Sequence, residues 1–394
     1  MAATPYTFLD YRRKQIRLFR VLQAVHESPI RENLHGMLEV FELDKCPRFQ
    51  ALSYMWGTEE DQKTFYLNDG YALQIRQNPH SFLLRYSEID SSKYASKFPD
   101  IPTTEYDHIF PNFYQSPTSQ ATGWLWIDRI CIDQKNVEER NAQVRLMKRI
   151  CQRGSEVIIW LGEDATTTNS LEKIQSIVEA EVEMQDLSPW SSLSQNPYWM
   201  RLWTVQEILL ARKRTVMSGN TTLSWNTLSR WYQHNKQQIF IHKVDRFSTE
   251  GDLMTSADPL FNLLWHTSQR DDHNDSDSLM FRIDHAISYF SWHLCADPMD
   301  KIYGLLGIID GGEMLNVEYS LQLHQLFEKV IHFGLVLWRI DLKLRKFDMT
   351  TEPPAEFLHA LWQLGDGMKV LETTRLTKIF LRNKVQQKWR AEFV

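Results

Sequence analysis

The sequence has few of the residues that build disulfide frameworks and metal modules. Its 394 residues include four cysteines, which are widely spaced and form no CxxC pair. A disulfide scaffold or a zinc module needs paired cysteines at short spacings, so we expect neither. The 13 histidines show no metal-ligand spacing either, and no metal site is expected.

Long apolar runs and export signals are also missing. No stretch approaches the roughly 20 apolar residues of a membrane helix, and residues 1–20 have no signal-peptide core. We therefore expect a cytoplasmic protein without a transmembrane segment. The formal net charge is −6 with both signs interleaved, so there is no positive field for nucleic acid. The sequence also lacks the GxGxxG, phosphate-loop, GxSxG and HExxH motifs.

The apolar content is sufficient for a large core. Hydrophobic residues make up 43% of the chain and charged residues 24%, which suits one large domain or a domain with helical extensions. The 14 tryptophans favour packing clusters over ligand stacking.

Short apolar runs predict the strands of a sheet. Alternation predicts strands at 16–19 and 37–43 in an N-terminal segment, and 49–54 reads as a buried strand. An Asn-Asp-Gly turn between 65–67 and 72–75 indicates a hairpin.

The strongest core pattern is a strand–helix–strand unit. Strands at 124–128 and 156–162 enclose a helix at 138–153. This βαβ pattern requires a parallel sheet, and the short apolar runs suit a sheet covered on both faces. Residues 90–122 read as an irregular insertion, and 245–280, with an acidic run, as a solvated loop.

Two clusters of unusual residues follow predicted strands. In the first, Ser53, Tyr54, Trp56 and Gly57 lie at a strand end, where glycine lets backbone approach a ligand. Simple packing around a turn is the alternative. In the second, Asp128 at a strand end is either functional or capped by backbone amides.

The second cluster continues into the following helix. Asp133 is expected to cap the turn before it. Arg140 and Gln143 lie close together along the helix, and a buried carboxylate–arginine pair that joins helix to loop would explain them.

The third cluster is helical. Trp203 and Glu207 are four residues apart and share a helix face, where the ring desolvates the carboxylate while Arg201 opposes that effect. This suits acid–base or cation-stabilising chemistry, and a surface Glu–Arg pair is the alternative. In the fourth cluster, Asp297 fits the N-cap of a helix that includes Asp300, and its apolar remainder suggests core packing.

Together these clusters resemble the heterokaryon incompatibility (HET) domain of filamentous fungi. The family motifs ALSYxWG, WIDxICIDQ, ERxxQVxxM, VxxWLG, RxWxxQE and DPxDKxYxLLG occur here in order. They stand at 51–57, 126–134, 139–147, 157–162, 201–207 and 297–307. The resemblance covers roughly residues 15–340.

The resemblance implies an α/β fold and a role in cell-death signalling. HET domains are similar to TIR domains, so it implies a TIR- or flavodoxin-like core with a mainly parallel sheet flanked by helices, plus insertions and a mainly helical C-terminal extension. The implied division is an N-terminal segment (1–45), a core (46–220), a helical continuation (221–340) and a basic tail (341–394).

The similarity to TIR domains also implies a chemistry, the cleavage of the nicotinamide–ribose bond of NAD. By position, Glu207 would be catalytic. The substrate-binding residues would be Ser53, Tyr54, Trp56, Gly57, Asp128, Arg201 and Trp203. NAD would be a substrate, and no cofactor is implied. The alternatives are a non-catalytic adaptor, acting as a homo-oligomer or with other incompatibility proteins, and a diverged member encoded in a metabolite gene cluster.

Overall fold

A computed structural model describes most of the chain. The described residues are 5–22, 34–57, 61–67, 70–88, 123–180, 187–244, 258–272, 280–344 and 353–370. The chain divides into two compact units, which are Met1–Tyr198 with Ala211–Lys236 and Trp199–Leu210 with Gln237–Val394. The predicted boundaries near residues 45, 220 and 340 stay predictions.

The first unit is built on one sheet, with nine strands among the described residues. The strands are β1 (Gln15–Leu22), β2 (Leu34–Glu42), β3 (Phe49–Tyr54), β4 (Gln62–Leu67), β5 (Ala72–Arg76), β6 (Trp124–Trp126), β7 (Glu156–Trp160), β8 (Arg214–Ser218) and β9 (Thr221–Ser224). Their order is β5-β4-β2-β1-β6-β3-β7-β8-β9. The strands predicted from alternation and the predicted hairpin are confirmed.

The sheet is mixed, so the prediction of a mainly parallel sheet is wrong. Strands β6, β3, β7 and β8 are parallel, and β2 is parallel to β4. Strand β1 is antiparallel to both neighbours, and β4–β5 and β8–β9 are antiparallel pairs. The antiparallel pairs β1–β2, β4–β5 and β8–β9 join strands consecutive in sequence, which need no helical crossover.

The predicted βαβ unit forms the parallel part of the sheet. Strands β6 and β7 are both parallel to β3, which lies between them. Every residue of β7 and β8 is buried, as in a sheet covered on both faces.

Helices lie between and after the strands in sequence and make up most of the described part of the second unit. They are α1 (Gln77–Glu88), α2 (Asp128–Cys131), α3 (Val137–Arg153), α4 (Ala165–Ala180), α5 (Ser188–Ser194), α6 (Trp203–Leu210), α7 (Trp225–Val244), α8 (Pro259–Asp272), α9 (Ile283–Phe290), α10 (Asp300–Tyr303), α11 (Leu323–Leu344) and α12 (Ala355–Gly367). None of the described helices is long and apolar enough to cross a membrane.

The loop predicted for 245–280 is wrong over part of its length. Helix α8 forms there because Leu260, Leu263 and Leu264 follow a helical spacing and are fully buried. The predicted insertion at 90–122 and the end of the basic tail, 371–394, lie outside the described residues.

Close packing in the first unit gives a test of the β1–β2 register. A Cβ atom on Gly36 would lie 2.3 Å from the Phe19 ring and 2.6 Å from the Phe65 ring, and both rings are fully buried. We expect Gly36→Ala to lower the free energy of unfolding by about 1–3 kcal/mol through overpacking. Urea unfolding measures this, with Gly123→Ala as the control because its Cβ would lie 3.4 Å from the Tyr86 hydroxyl, an ordinary van der Waals distance. Equal stability of Gly36→Ala and wild type would contradict the packing.

Candidate functional site

The carboxyl ends of the parallel strands bring two of the predicted clusters together. Trp56 follows β3 and Asp128 follows β6, the neighbouring strand. The Trp56 Nε1–H donates to Asp128 Oδ2 at 2.9 Å, and the Arg129 backbone N–H donates to Oδ1 at 2.7 Å. This edge of a parallel sheet is where ligands commonly bind.

Two arginines flank the Trp56 ring. The guanidinium carbons of Arg76 and Arg129 lie 5.7 Å and 5.3 Å from the ring centroid, within cation–π range. Arg76 also donates to the Gly57 carbonyl at 2.6 Å. Gly57 has φ +79°, a left-handed conformation that favours glycine. The result is a half-buried indole with two cations within cation–π range, which we call the Trp56 site (Trp56, Gly57, Arg76, Asp128 and Arg129).

Asn78 holds the loop behind this site and was not predicted as a site residue. Its Nδ2 donates to the Met55 carbonyl at 2.7 Å, and its Oδ1 accepts from the Trp160 indole at 2.8 Å. It therefore ties the loop after β3 to the end of β7. The only sequence signal was an Asn-Pro pair at the start of a helix, which indicates a boundary and not a long-range contact.

Ser53 and Tyr54 lie in the core of the first unit. Their exposed fractions are 1% and 2%. The Ser53 hydroxyl shares a hydrogen bond with the Tyr198 hydroxyl, which anchors the end of β3 to the segment before α6. Their role in substrate binding stays a prediction.

A buried ion pair anchors helix α3. Its arginine was not predicted from the sequence. Arg17 on β1 pairs with Glu139, and the Arg17 Nη2 to Glu139 Oε2 distance is 3.0 Å. This pair joins α3 to β1, and the helix-to-loop pair expected to explain Arg140 and Gln143 stays a prediction. Glu139 also accepts from the Asp133 backbone N–H at 2.7 Å, and Gln143 donates to the Gln15 carbonyl at 2.9 Å.

In the second unit, Asp300 joins the third and fourth clusters. The Trp203 indole N–H donates to Asp300 Oδ2 at 3.0 Å, and the Tyr319 hydroxyl donates to Oδ1. Asp300 is 8% exposed, and each of its carboxylate oxygens accepts a hydrogen bond from one of these half-buried aromatic side chains. Asp297 accepts from the Met299 backbone N–H at 3.0 Å and so caps the turn that leads into α10.

Glu207 lies on α6 in the second unit and is 7% exposed. It is therefore not the surface carboxylate that was the alternative interpretation. The neighbouring Gln206 donates to the Tyr303 carbonyl at 3.2 Å. Arg201, just before α6, pairs through its backbone with Leu294. The site roles of Glu207, Trp203 and Arg201 stay predictions, as do those of the residues in the first unit.

His293 makes the second unit sensitive to pH. It is fully buried, and burial lowers the pKa of its imidazole from 6.5 to about 4, with Lys301 acting in the same direction. The Phe290 carbonyl, 3.1 Å from Nδ1, raises the pKa but is outweighed.

We therefore expect the protein to lose stability as the pH falls. Because the folded-state pKa of His293 lies below the unfolded value of 6.5, the unfolded state binds more protons between pH 6.5 and about 4. The contribution of His293 to this loss is up to about 3 kcal/mol. Urea unfolding across this range should show a shallower loss for His293→Gln than for wild type. An exposed control, His324→Gln, should follow wild type, and parallel profiles of all three proteins would contradict the assignment.

The described residues contain no group of three or more His, Cys, Asp or Glu side chains that could hold a metal ion. The Trp56 site itself offers an aromatic ring, two guanidinium groups and one carboxylate.

Comparison with known proteins shows which proteins this chain resembles. Residues 49–207 match the model of the family described as "Heterokaryon incompatibility protein (HET)". The chain is also 21% identical over 352 residues to "Heterokaryon incompatibility protein 6, OR allele" of Neurospora crassa. That alignment covers 76% of this chain and 48% of the relative, so the chain spans about half the length of the curated relative it matches. No solved structure matches significantly.

By these two findings, residues 49–207 resemble the HET family model and the chain is distantly similar to one incompatibility protein. The matched region contains the whole Trp56 site as well as Trp203 and Glu207. Asp297 and Asp300 lie beyond it.

Proposed function

We propose that this chain acts in fungal heterokaryon incompatibility, as a cytoplasmic effector of non-self recognition and regulated cell death. The observation that carries the proposal is the junction of two HET motifs at the Trp56 site. Trp56 comes from one motif and Asp128 from the other, and the 2.9 Å hydrogen bond between them lies within the matched region. Polar and aromatic groups at the carboxyl ends of parallel strands suit a functional surface better than a packing core.

Expression in a filamentous fungus tests this role. We expect wild type to arrest hyphal growth, because effectors of incompatibility kill the cell in which they act. Trp56→Ala removes the ring beside the two arginines, and Asp128→Asn removes the negative charge next to that ring. Both variants should therefore allow growth at equal protein levels. The control is Trp362→Ala, a 38% exposed tryptophan of the second unit, which should still arrest growth. Normal growth with abundant wild-type protein would contradict the proposal.

The chemistry that we assign to the effector is hydrolysis of NAD, with Glu207 as the catalytic carboxylate. Water would attack the ribose carbon as the bond to nicotinamide breaks, which gives ADP-ribose, nicotinamide and a proton. The ribose becomes oxocarbenium-like as the bond breaks, and a carboxylate stabilises that charge. The burial of Glu207 supports this assignment, because a low-dielectric environment strengthens its interaction with a cation.

A non-catalytic adaptor is the alternative, and a direct assay separates the two. Purified protein is incubated with NAD, free nicotinamide is measured by chromatography, and light scattering reports the oligomeric state of the same sample. We expect nicotinamide release that increases as the protein assembles into a homo-oligomer. Growth arrest in the fungus without nicotinamide release from the assembled protein would instead favour an adaptor that recruits other incompatibility proteins.

A further inference from the structure

The second unit contains a cavity that none of the predicted site residues lines. Its volume is about 270 Å³, and it lies among the start of α9, the last turns of α11, the Asp310–Gly311 turn and α12. Leu337, Trp338 and Phe357 form its apolar wall. A cavity with apolar walls is a potential binding site when its rim also offers groups for recognition.

The rim concentrates exposed apolar side chains. Met314, Ile340 and Leu344 line the cavity and are 55%, 42% and 77% exposed. They are three of the eight large apolar side chains that are exposed in the described part of the chain. Leu337, Ile340 and Leu344 follow the spacing of one face of a helix. An apolar patch gathered around one cavity is typical of an interaction surface.

The polar part of the cavity is negatively charged. Arg282 donates to both oxygens of Asp284 at 3.1 Å, and to Asp341 at 3.4 Å. Asp310 adds a third carboxylate, which is exposed and makes no side-chain hydrogen bond or ion pair with the described residues. The cavity lining thus contains one guanidinium and three carboxylates. A partner complementary to this surface would present a cation beside apolar groups.

We propose that this cavity, which we call the Asp310 cavity, binds an amphipathic helix of a partner protein. The helix would place its leucine- or isoleucine-type side chains against Met314, Ile340 and Leu344, and a lysine or arginine next to Asp310. The exposed face of α11 supplies the ridge against which such a helix packs. This binding does not depend on NAD hydrolysis or on the Trp56 site.

Fluorescence anisotropy with a synthetic probe tests the proposal on the full chain. The probe is a labelled helical peptide of leucine and lysine with leucines at i, i+3, i+4 and i+7, and its counterpart carries glutamate in place of lysine. We expect wild type to bind the lysine peptide at least about tenfold more tightly than the glutamate peptide. Leu344→Ser should weaken binding about tenfold and Asp310→Asn about threefold, with the second effect lost at high salt.

Two controls use exposed positions outside the cavity. Leu294→Ser removes a 61% exposed leucine of the same unit, and Glu328→Gln removes an exposed carboxylate from α11. Both controls should bind the lysine peptide as wild type does. Loss of affinity in the controls equal to that in the cavity variants, or no binding by wild type, would overturn the proposal. A dimer that forms without peptide and is broken by Leu344→Ser would also overturn it, because the occupant would then be a second copy.

Discussion

Arg17→Met is expected to lower the free energy of unfolding by about 3–5 kcal/mol, because it leaves the Glu139 carboxylate buried without its cation. The side chains of Arg17 and Glu139 are 1% and 3% exposed, so water cannot replace the lost partner. Arg17 also donates to the carbonyls of Thr7 and Cys131, so its loss leaves these backbone acceptors without a donor as well. Urea unfolding of wild type and variant measures the difference.

A double-mutant cycle separates the ion pair from the rest of the packing. Glu139→Leu alone should cost nearly as much as Arg17→Met. The double variant should lose less than the sum of the two single losses, because no unpaired charge remains. Arg149→Gln is the control, since its pair with Asp44 is exposed and should be worth less than about 1 kcal/mol. Additive losses in the cycle would show that the pair contributes no coupling energy.

Glu207→Gln is expected to reduce nicotinamide release at least about 100-fold, which is typical of removing one electrostatic group that acts in the transition state. Glutamine keeps the shape of the side chain and removes the charge that, in the proposed reaction, stabilises the oxocarbenium-like ribose. The same variant should restore hyphal growth and cellular NAD when it is expressed at the wild-type level. Chromatography of free nicotinamide and an assay of NAD in cell extracts provide the two measurements.

The matched control for Glu207→Gln is Glu313→Gln, which removes an exposed carboxylate from the same unit. It should leave nicotinamide release and growth arrest unchanged. Because Glu207 is buried, circular dichroism and urea unfolding must show that the variant folds. A folded Glu207→Gln protein with wild-type activity would exclude Glu207 as the catalytic group.

Much of the first unit follows from local sequence pattern. The run 49–54 is strand β3 from end to end, and the helix expected at 138–153 is α3. The motifs also predicted that Trp56 lies at the end of a strand. These features depend on residues that are close in sequence, since periodicity and turn residues act locally.

The partners of the important side chains were not predictable in the same way. Arg17 and Glu139 are 122 residues apart, and Asn78 and Trp160 are 82 residues apart. The identity of a partner at such a distance depends on which strands become neighbours. The antiparallel β1 and the pairs β4–β5 and β8–β9 turned an expected mainly parallel sheet into a mixed one.

The sequence by itself determined the α/β class, the strand and helix at the centre of the first unit, and the resemblance to the HET family. Hydrophobic periodicity and short motifs carry that information. Only the tertiary structure decided that Trp56 donates a hydrogen bond to Asp128 beside two arginines. It also decided that Asp300 accepts a hydrogen bond from Trp203 and that Glu207 is buried. Strand order and burial arise from packing over the whole unit. That packing decides whether a carboxylate is a ligand group, a cap or half of an ion pair.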